Sequence, residues 1–147
     1  RDNKEVSDTQ PVDLATIADG CWENVQTEQG RIITTVDRTV WADSSRLKQV
    51  FENLFRNAAE HGGEEVTVTV GELADGFYIE DDGPGIPVEK RDEVLEPGYS
   101  SAQGGTGFGL TIVKRIVEAH GWALSITDGT DGGARFEIKM AAQGELV

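Results

Sequence analysis

Phe51-Glu52-Asn53-Leu54-Phe55-Arg56-Asn57-Ala58-Ala59-Glu60-His61-Gly62 is the most informative stretch of this chain. It continues a helical pattern that begins near Asp43 or Ser44, either of which can cap it. Leu47, Val50, Phe51, Leu54, Phe55 and Ala58 recur at helical spacing and define a buried face. The Gly62-Gly63 pair closes the helix just after His61. Asn53, Asn57 and His61 lie four apart and stack along one edge of that face. Asn is a mediocre helix former, so two in register beside a core stripe are unusual. An Asn amide offers a neutral oxygen that can ligate a hard cation such as Mg²⁺. It can equally be a solvated group on a helix flank.

Downstream, Val66, Val68 and Val70 alternate with Thr as a half-buried strand. A turn at Ala74-Asp75-Gly76 leads into a partner strand carrying Phe77 and Ile79. Asp81-Asp82-Gly83-Pro84-Gly85-Ile86-Pro87 follows directly. Two glycines at spacing two let backbone pass close to a flat ligand or phosphate, and Asp81 could accept from an exocyclic amine. An ordinary turn explains the same residues. Residues 87–95 fit a short helix opened by Pro87. Residues 96–107 form a Gly/Ser-rich loop containing Gly104-Gly105-Thr106-Gly107, and Phe108-Gly109-Leu110 leads into a third helix. Free amides at a helix start, with glycines beside them, suit an anion. A glycine hinge is the plain alternative. The spacing fits neither a dinucleotide fingerprint nor a Walker loop, which would end in Gly-Lys-Ser/Thr. Ile112, Val113, Ile116 and Val117 make the third helix's core face, and Gly121 stops it. The chain closes as a hairpin, with Trp122, Leu124 and Ile126 alternating out and Ala134, Phe136, Ile138 and Met140 alternating back.

Upstream, residues 1–10 are polar and patternless and read as a leader or linker. Residues 12–25 read as a helix capped by Asp13, with Val12 and Ile17 as a hydrophobic staple. Cys21 falls in its apolar stripe and reads as a buried structural thiol. Arg31 to Val36 and Thr39 to Ala42 suggest two strands. The element order predicts one α/β domain. It is a two-layer α+β sandwich, with helices stacked on one face of a single sheet.

The three unusual segments in this order, with Leu95-Glu96-Pro97-Gly98-Tyr99-Ser100-Ser101 between them, resemble the boxes of the ATP-binding catalytic domain of sensor histidine kinases. The wider family includes gyrase, mismatch-repair and chaperone ATPases. Residues 51–62 look like its N box, Asp81 to Ile86 its first glycine box, and Gly105 to Leu110 its second. The resemblance implies the Bergerat-type sandwich, with a mixed, mainly antiparallel sheet and three main helices. It divides the chain into a linker from a preceding dimerisation domain (1–11), the ATP-binding domain (12–142) and a tail (143–147). It implies ATP and Mg²⁺ as cofactors. Asn57 would hold the Mg²⁺, Asn53 would line the same edge, and His61 would reach toward phosphate. Asp81 would bind the adenine amino group, and Gly83 and Gly85 would admit the ring beside Ile86. Tyr99 would hinge a lid. Gly105, Thr106, Gly107, Phe108, Gly109 and Leu110 would follow the phosphates.

The implied activity is donation of the γ-phosphate to a histidine on a separate dimerisation domain, with a response-regulator receiver domain downstream. The implied setting is a cytoplasmic domain, monomeric in isolation. A hydrolase of the gyrase or chaperone type would carry a Glu four residues before Asn57, where this chain has Asn53. Glu52 is one step round the helix and points elsewhere. A nucleotide-binding module without catalysis is the third possibility. The chain departs from the family pattern at Glu60, where a Lys or Arg is common, and at Ala134, where a Thr is common. No Lys or Arg occurs from Glu96 to Val113. His61 belongs to the N box and His120 to a helix end, so neither reads as the phosphate acceptor.

The 147 residues suit one domain that buries roughly two-thirds of its unfolded surface without staples. A single Cys permits no internal disulfide. No apolar run is long enough to span a membrane. Arg1 at the start and Met140 as the only Met suggest a piece of a longer protein. The 27 Asp and Glu against 13 Lys and Arg give a net charge of −14, which disfavours nucleic acid and anionic membranes as partners. The acids are scattered along a chain with clear apolar periodicity, which argues against acidic disorder. Adaptation to high salt, as in a halophile, is the favoured origin. The melting temperature is then expected to rise as KCl increases from about 0.1 to about 3 M, where counterions screen the self-repulsion. A flat or falling thermal-melt series would remove that explanation.

Overall fold

The computed structural model describes residues 8–25, 29–63, 65–96 and 109–140. Strand β1 (Thr9–Asp13) runs straight into helix α1 (Leu14–Trp22). Asp13 is the last strand residue and also the cap, accepting from the Ala15 N–H at 3.0 Å and the Thr16 N–H at 3.4 Å. Strands β2 (Arg31–Thr34) and β3 (Thr39–Asp43) follow, then the long helix α2 (Ser44–Gly62). Asp43 caps α2 through the Arg46 N–H. Strands β4 (Thr67–Leu73) and β5 (Gly76–Asp81) form a hairpin. Two 3₁₀ turns (Val88–Lys90 and Glu93–Leu95), helix α3 (Gly109–Ala119) and the β6 (Ala123–Asp128)–β7 (Ala134–Lys139) hairpin complete the chain.

Three expectations need correction. The strands form two sheets, not one: β1 pairs antiparallel with β3 alone, and a five-stranded sheet runs β2-β4-β5-β7-β6. Part of the expected leader is that first strand, with Gln10 opposite Ala42 and Val12 opposite Val40. Only Val12 of β1 is buried, and Pro11 sits within it, so the strand shows no alternation to read. The segment expected as one short helix is instead the two 3₁₀ turns, with bonds such as Lys90 N–H to Pro87 O (2.9 Å) and Glu96 N–H to Glu93 O (3.0 Å). The five-stranded sheet is mixed and mainly antiparallel, β2–β4 being its parallel pair.

The core lies between the inner face of this sheet and the helices. Val68, Val70, Phe77, Ile79, Phe136 and Ile138 meet Leu47, Val50, Phe51, Leu54, Val113, Ile116 and Val117, all buried. A relay of rings links the layers. Trp22 of α1 meets Phe55 of α2 edge-on at 5.4 Å, and Phe51 sits 5.7 Å from Phe55 and 5.9 Å from Phe77 of β5. Such contacts add roughly 0.5–1.5 kcal/mol each beyond area burial. Cys21 is buried as expected, with Sγ 3.7 Å from the Lys48 carbonyl, and burial pushes its thiol up to about 11.

His120 ties the end of α3 to the start of α2. Its Nε2 accepts from the Asp43 N–H at 3.1 Å, so that nitrogen is bare. The proton therefore sits on Nδ1, 2.9 Å from the Ile116 carbonyl. The ring stacks on Trp122 at 4.4 Å. Burial lowers its pKa below the ordinary 6.5, so the fold requires the neutral ring. The stabilisation is complete above 6.5, the unfolded value, and is lost as pH falls through the lower folded value. His120→Leu is expected to cost about 1 kcal/mol at neutral pH and to flatten the stability loss just below pH 6.5, read by urea denaturation across pH.

Candidate functional site

Period-two alternation in β5 points Phe77 and Ile79 at the helices, and Asp81 is the next residue in that register. The carboxylate is thereby carried inward at the C-terminal end of the middle strand. Its Oδ1 accepts from the Gly83 N–H at 2.8 Å and the Ala134 N–H at 3.4 Å. Its Oδ2 has no partner among the described residues. Burial raises the Asp81 pKa above the ordinary carboxylate value, against the two backbone bonds that lower it.

The loop beyond is set by close backbone contacts. A Cβ at Gly83 would lie 2.9 Å from the Gly62 Cα, so the loop crosses the end of α2 at a distance only glycine permits. Gly85 adopts φ +82° against the Gly132 carbonyl. Both glycines thus have a reason inside the fold. Ile86 packs against the core, and its carbonyl accepts from Arg91 Nε at 2.9 Å. Arg91 also pairs with Asp128 of β6, which fastens the loop to the sheet.

Along the edge of α2, Asn53 is 8% exposed, Asn57 is half-buried and His61 is exposed. Asn53 Oδ1 accepts from Arg56 Nη1 at 2.8 Å and faces Gly109, the first residue of α3. Asn57 makes no side-chain hydrogen bond among the described residues. Glu52 lies round the helix, lining a cavity of about 480 Å³ with Cys21, Asn24, Arg56 and Glu60. Leu110 opens α3 beside Gly109, and Thr111 Oγ1 holds the second 3₁₀ turn through the Leu95 carbonyl at 3.2 Å. Tyr99, Gly105, Thr106, Gly107 and Phe108 lie outside the described residues, as does the proposed boundary at 142/143. The structure brings Asn53 beside Gly109, and Asp81 and Gly83 beside the end of the same helix α2.

The turn between β6 and β7 was not legible as part of this site. A Cβ at Gly133 would lie 1.9 Å from the Asp81 carbonyl oxygen, so the turn packs directly on Asp81. A polar cluster on the sheet's outer face holds it there. Glu80, 8% exposed, accepts from the Thr130 N–H at 3.2 Å and from Arg135 Nε at 2.9 Å. Arg135 also lies 3.8 Å over the Tyr78 ring. Strand pairing alone could have suggested it, since Glu80 stands opposite Arg135.

A family model described as "Histidine kinase-, DNA gyrase B-, and HSP90-like ATPase" matches residues 42–144. The chain belongs to this ATPase family. Among its curated relatives in the family, the kinase/phosphatase MprB of Mycobacterium avium is 36% identical over 136 residues, 84% of this chain and 26% of its own length. The sensor histidine kinase ZraS of Klebsiella oxytoca is 36% identical over 111 residues, 72% of this chain and 24% of its own length. The chain therefore spans about a quarter of these relatives. Among solved structures, the mycobacterial MprB kinase superposes with a TM-score of 0.78 at 31% identity, covering 90% of this chain and 97% of that one. Full-length ShkA in complex with AMPPNP superposes at 0.70 with 26% identity, covering 94% of this chain and 32% of that one. No described helix is long and apolar enough to cross a membrane.

Burying an ionised carboxylate costs free energy that a neutral amide does not. Above its raised folded pKa, Asp81 is ionised in both states and this cost is constant; the group favours folding only as pH falls towards 3.8. Asp81→Asn keeps an oxygen for both backbone donors. Its melting temperature at pH 7 is expected to equal or exceed that of the parent in scanning calorimetry. A drop worth more than about 1 kcal/mol would contradict this.

Proposed function

We propose that this domain binds Mg·ATP and donates the γ-phosphate to a histidine on a separate dimerisation domain. It would be the catalytic part of a cytoplasmic two-component sensor kinase, with a receiver domain downstream. The observation that carries the reading is Asp81. Its Oδ1 is fixed by two backbone donors, which leaves the other oxygen for an exocyclic adenine amine. The AMPPNP complex of ShkA supports a nucleotide in this fold.

The residues present fit a magnesium ion. Among the described residues no cluster of three or more His, Cys, Asp or Glu could hold a metal. Mg²⁺ bound through one or two protein oxygens, water and phosphates needs no such cage. Asn57, with an uncommitted amide, would hold it. A magnesium ion held there would supply positive charge against the phosphates. Phosphoryl transfer asks the protein mainly for positioning and charge stabilisation. Asp81 would fix the base and the start of α3 would face the phosphates with free amides. His61 would reach toward the phosphates.

Hydrolysis is disfavoured because Asn53, not a Glu, stands four residues before Asn57, and Glu52 is one step round the helix. Titration calorimetry is expected to show Mg·ATP binding by the parent and at least a tenfold loss in Asp81→Asn. Phosphotransfer would appear only when a matching dimerisation domain is supplied. Equal binding by both proteins would overturn the Asp81 role.

A further inference from the structure

The proposed ligand is a polyanion, and the chain carries −14. Few cations stand where its phosphates would lie. Arg38 pairs with Glu72, Arg91 with Asp128, and Arg135 with Glu80 and Glu137. The 97–108 segment holds no Lys or Arg. Lys114 and Arg115 are exposed and sit more than a turn beyond the start of α3.

Arg56 is also exposed and lines the groove toward α1, but its head group is held at the Asn53 edge of α2. It immediately precedes Asn57, and its Nη1 donates to Asn53 Oδ1 at 2.8 Å. Asn53 in turn faces Gly109 at the start of α3. Glu52 and Glu60 lie one turn either side of Arg56 on the same helix face, where an ion pair would be easy. Neither makes one with it among the described residues. The guanidinium is held instead on a neutral amide, so its charge is oriented without a direct ion pair among the described residues. It has five donors and has spent one of them on Asn53. The rest can meet a phosphate through paired bonds without releasing Asn53.

We infer that Arg56 is the cation that contacts the terminal phosphate of the nucleotide, parked on Asn53 beside the start of α3. This rests on the nucleotide reading above. The contact would exist with ATP and be absent with ADP.

The test is calorimetry of the 147-residue chain with Mg·AMPPNP and Mg·ADP, on the parent, Arg56→Met and Arg56→Lys. Arg56→Met is expected to weaken AMPPNP about tenfold while ADP stays within about threefold, the size of loss expected for one charge-assisted phosphate contact. Arg56→Lys should recover part of the AMPPNP affinity, since it restores charge but not the paired geometry. Equal loss for both nucleotides would mean that Arg56 only positions Asn53, and no loss for either would mean that it is a surface charge. Either result overturns the inference while leaving nucleotide binding intact. A parent protein that binds neither nucleotide would overturn the reading beneath it as well.

Discussion

A carboxylate held at the inward-facing end of a central strand is the constraint around which the rest of the domain is arranged. Strand β5 is hydrogen-bonded on both sides, to β4 and to β7. Its register is therefore fixed by two ladders, and a slip of one residue would expel Phe77 and Ile79 from the core. That rigidity carries Asp81 to one place. The backbone then closes around it: the Gly83 amide from the following loop, the Ala134 amide from β7, and Gly133 against its carbonyl. Burial raises its pKa even against these donors. A buried carboxylate with one oxygen held by two backbone donors and the other left for a ligand is the kind of group a binding site requires.

The second wall is α2, and its placement follows from aromatic packing. Phe51 against Phe77 sets the helix over β5, and the Gly62–Gly83 approach sets the height of its end above the loop. With both fixed, the Asn53–Asn57–His61 edge has one orientation relative to Asp81. His120 braces the opposite end by bonding the Asp43 N–H where α2 begins. The helix is held at both ends and its middle, which is what a site assembled from separate elements needs.

Much of this could be read in the sequence because the patterns were long. The helical stripe from Leu47 to Ala58 and the alternations Val66–Val70 and Ala134–Met140 each repeat often enough to fix a face. What failed had short or mixed signals. Strand β1 buries only Val12 and contains Pro11, so it looked like linker. The two 3₁₀ turns bury only Val94, too little to distinguish them from a helix. The turn holding Asp81 from behind was missed for a different reason. Its contribution lies in Gly133, which acts by lacking a side chain, and in the Glu80–Thr130–Arg135 cluster, whose members come from three places in the chain. Gly83 and Gly85 pass close to other backbone, so the fold itself gives a reason for both.

The charge of −14 gains a sharper meaning from where the acids are not. Along the α2 edge the buried positions are amides. An acid at Asn53 would meet Arg56 at the distance the amide oxygen now occupies and would neutralise it. It would also set a negative charge beside Gly109, where α3 starts. The amide keeps the hydrogen bond and leaves the charge unspent. Glu52 and Glu60 remain on the same helix, but Glu60 is exposed and both line the groove toward α1. The acidity is thus sorted by position. It is abundant on the solvent faces and, on α2, replaced by neutral amides along the edge proposed to receive phosphate.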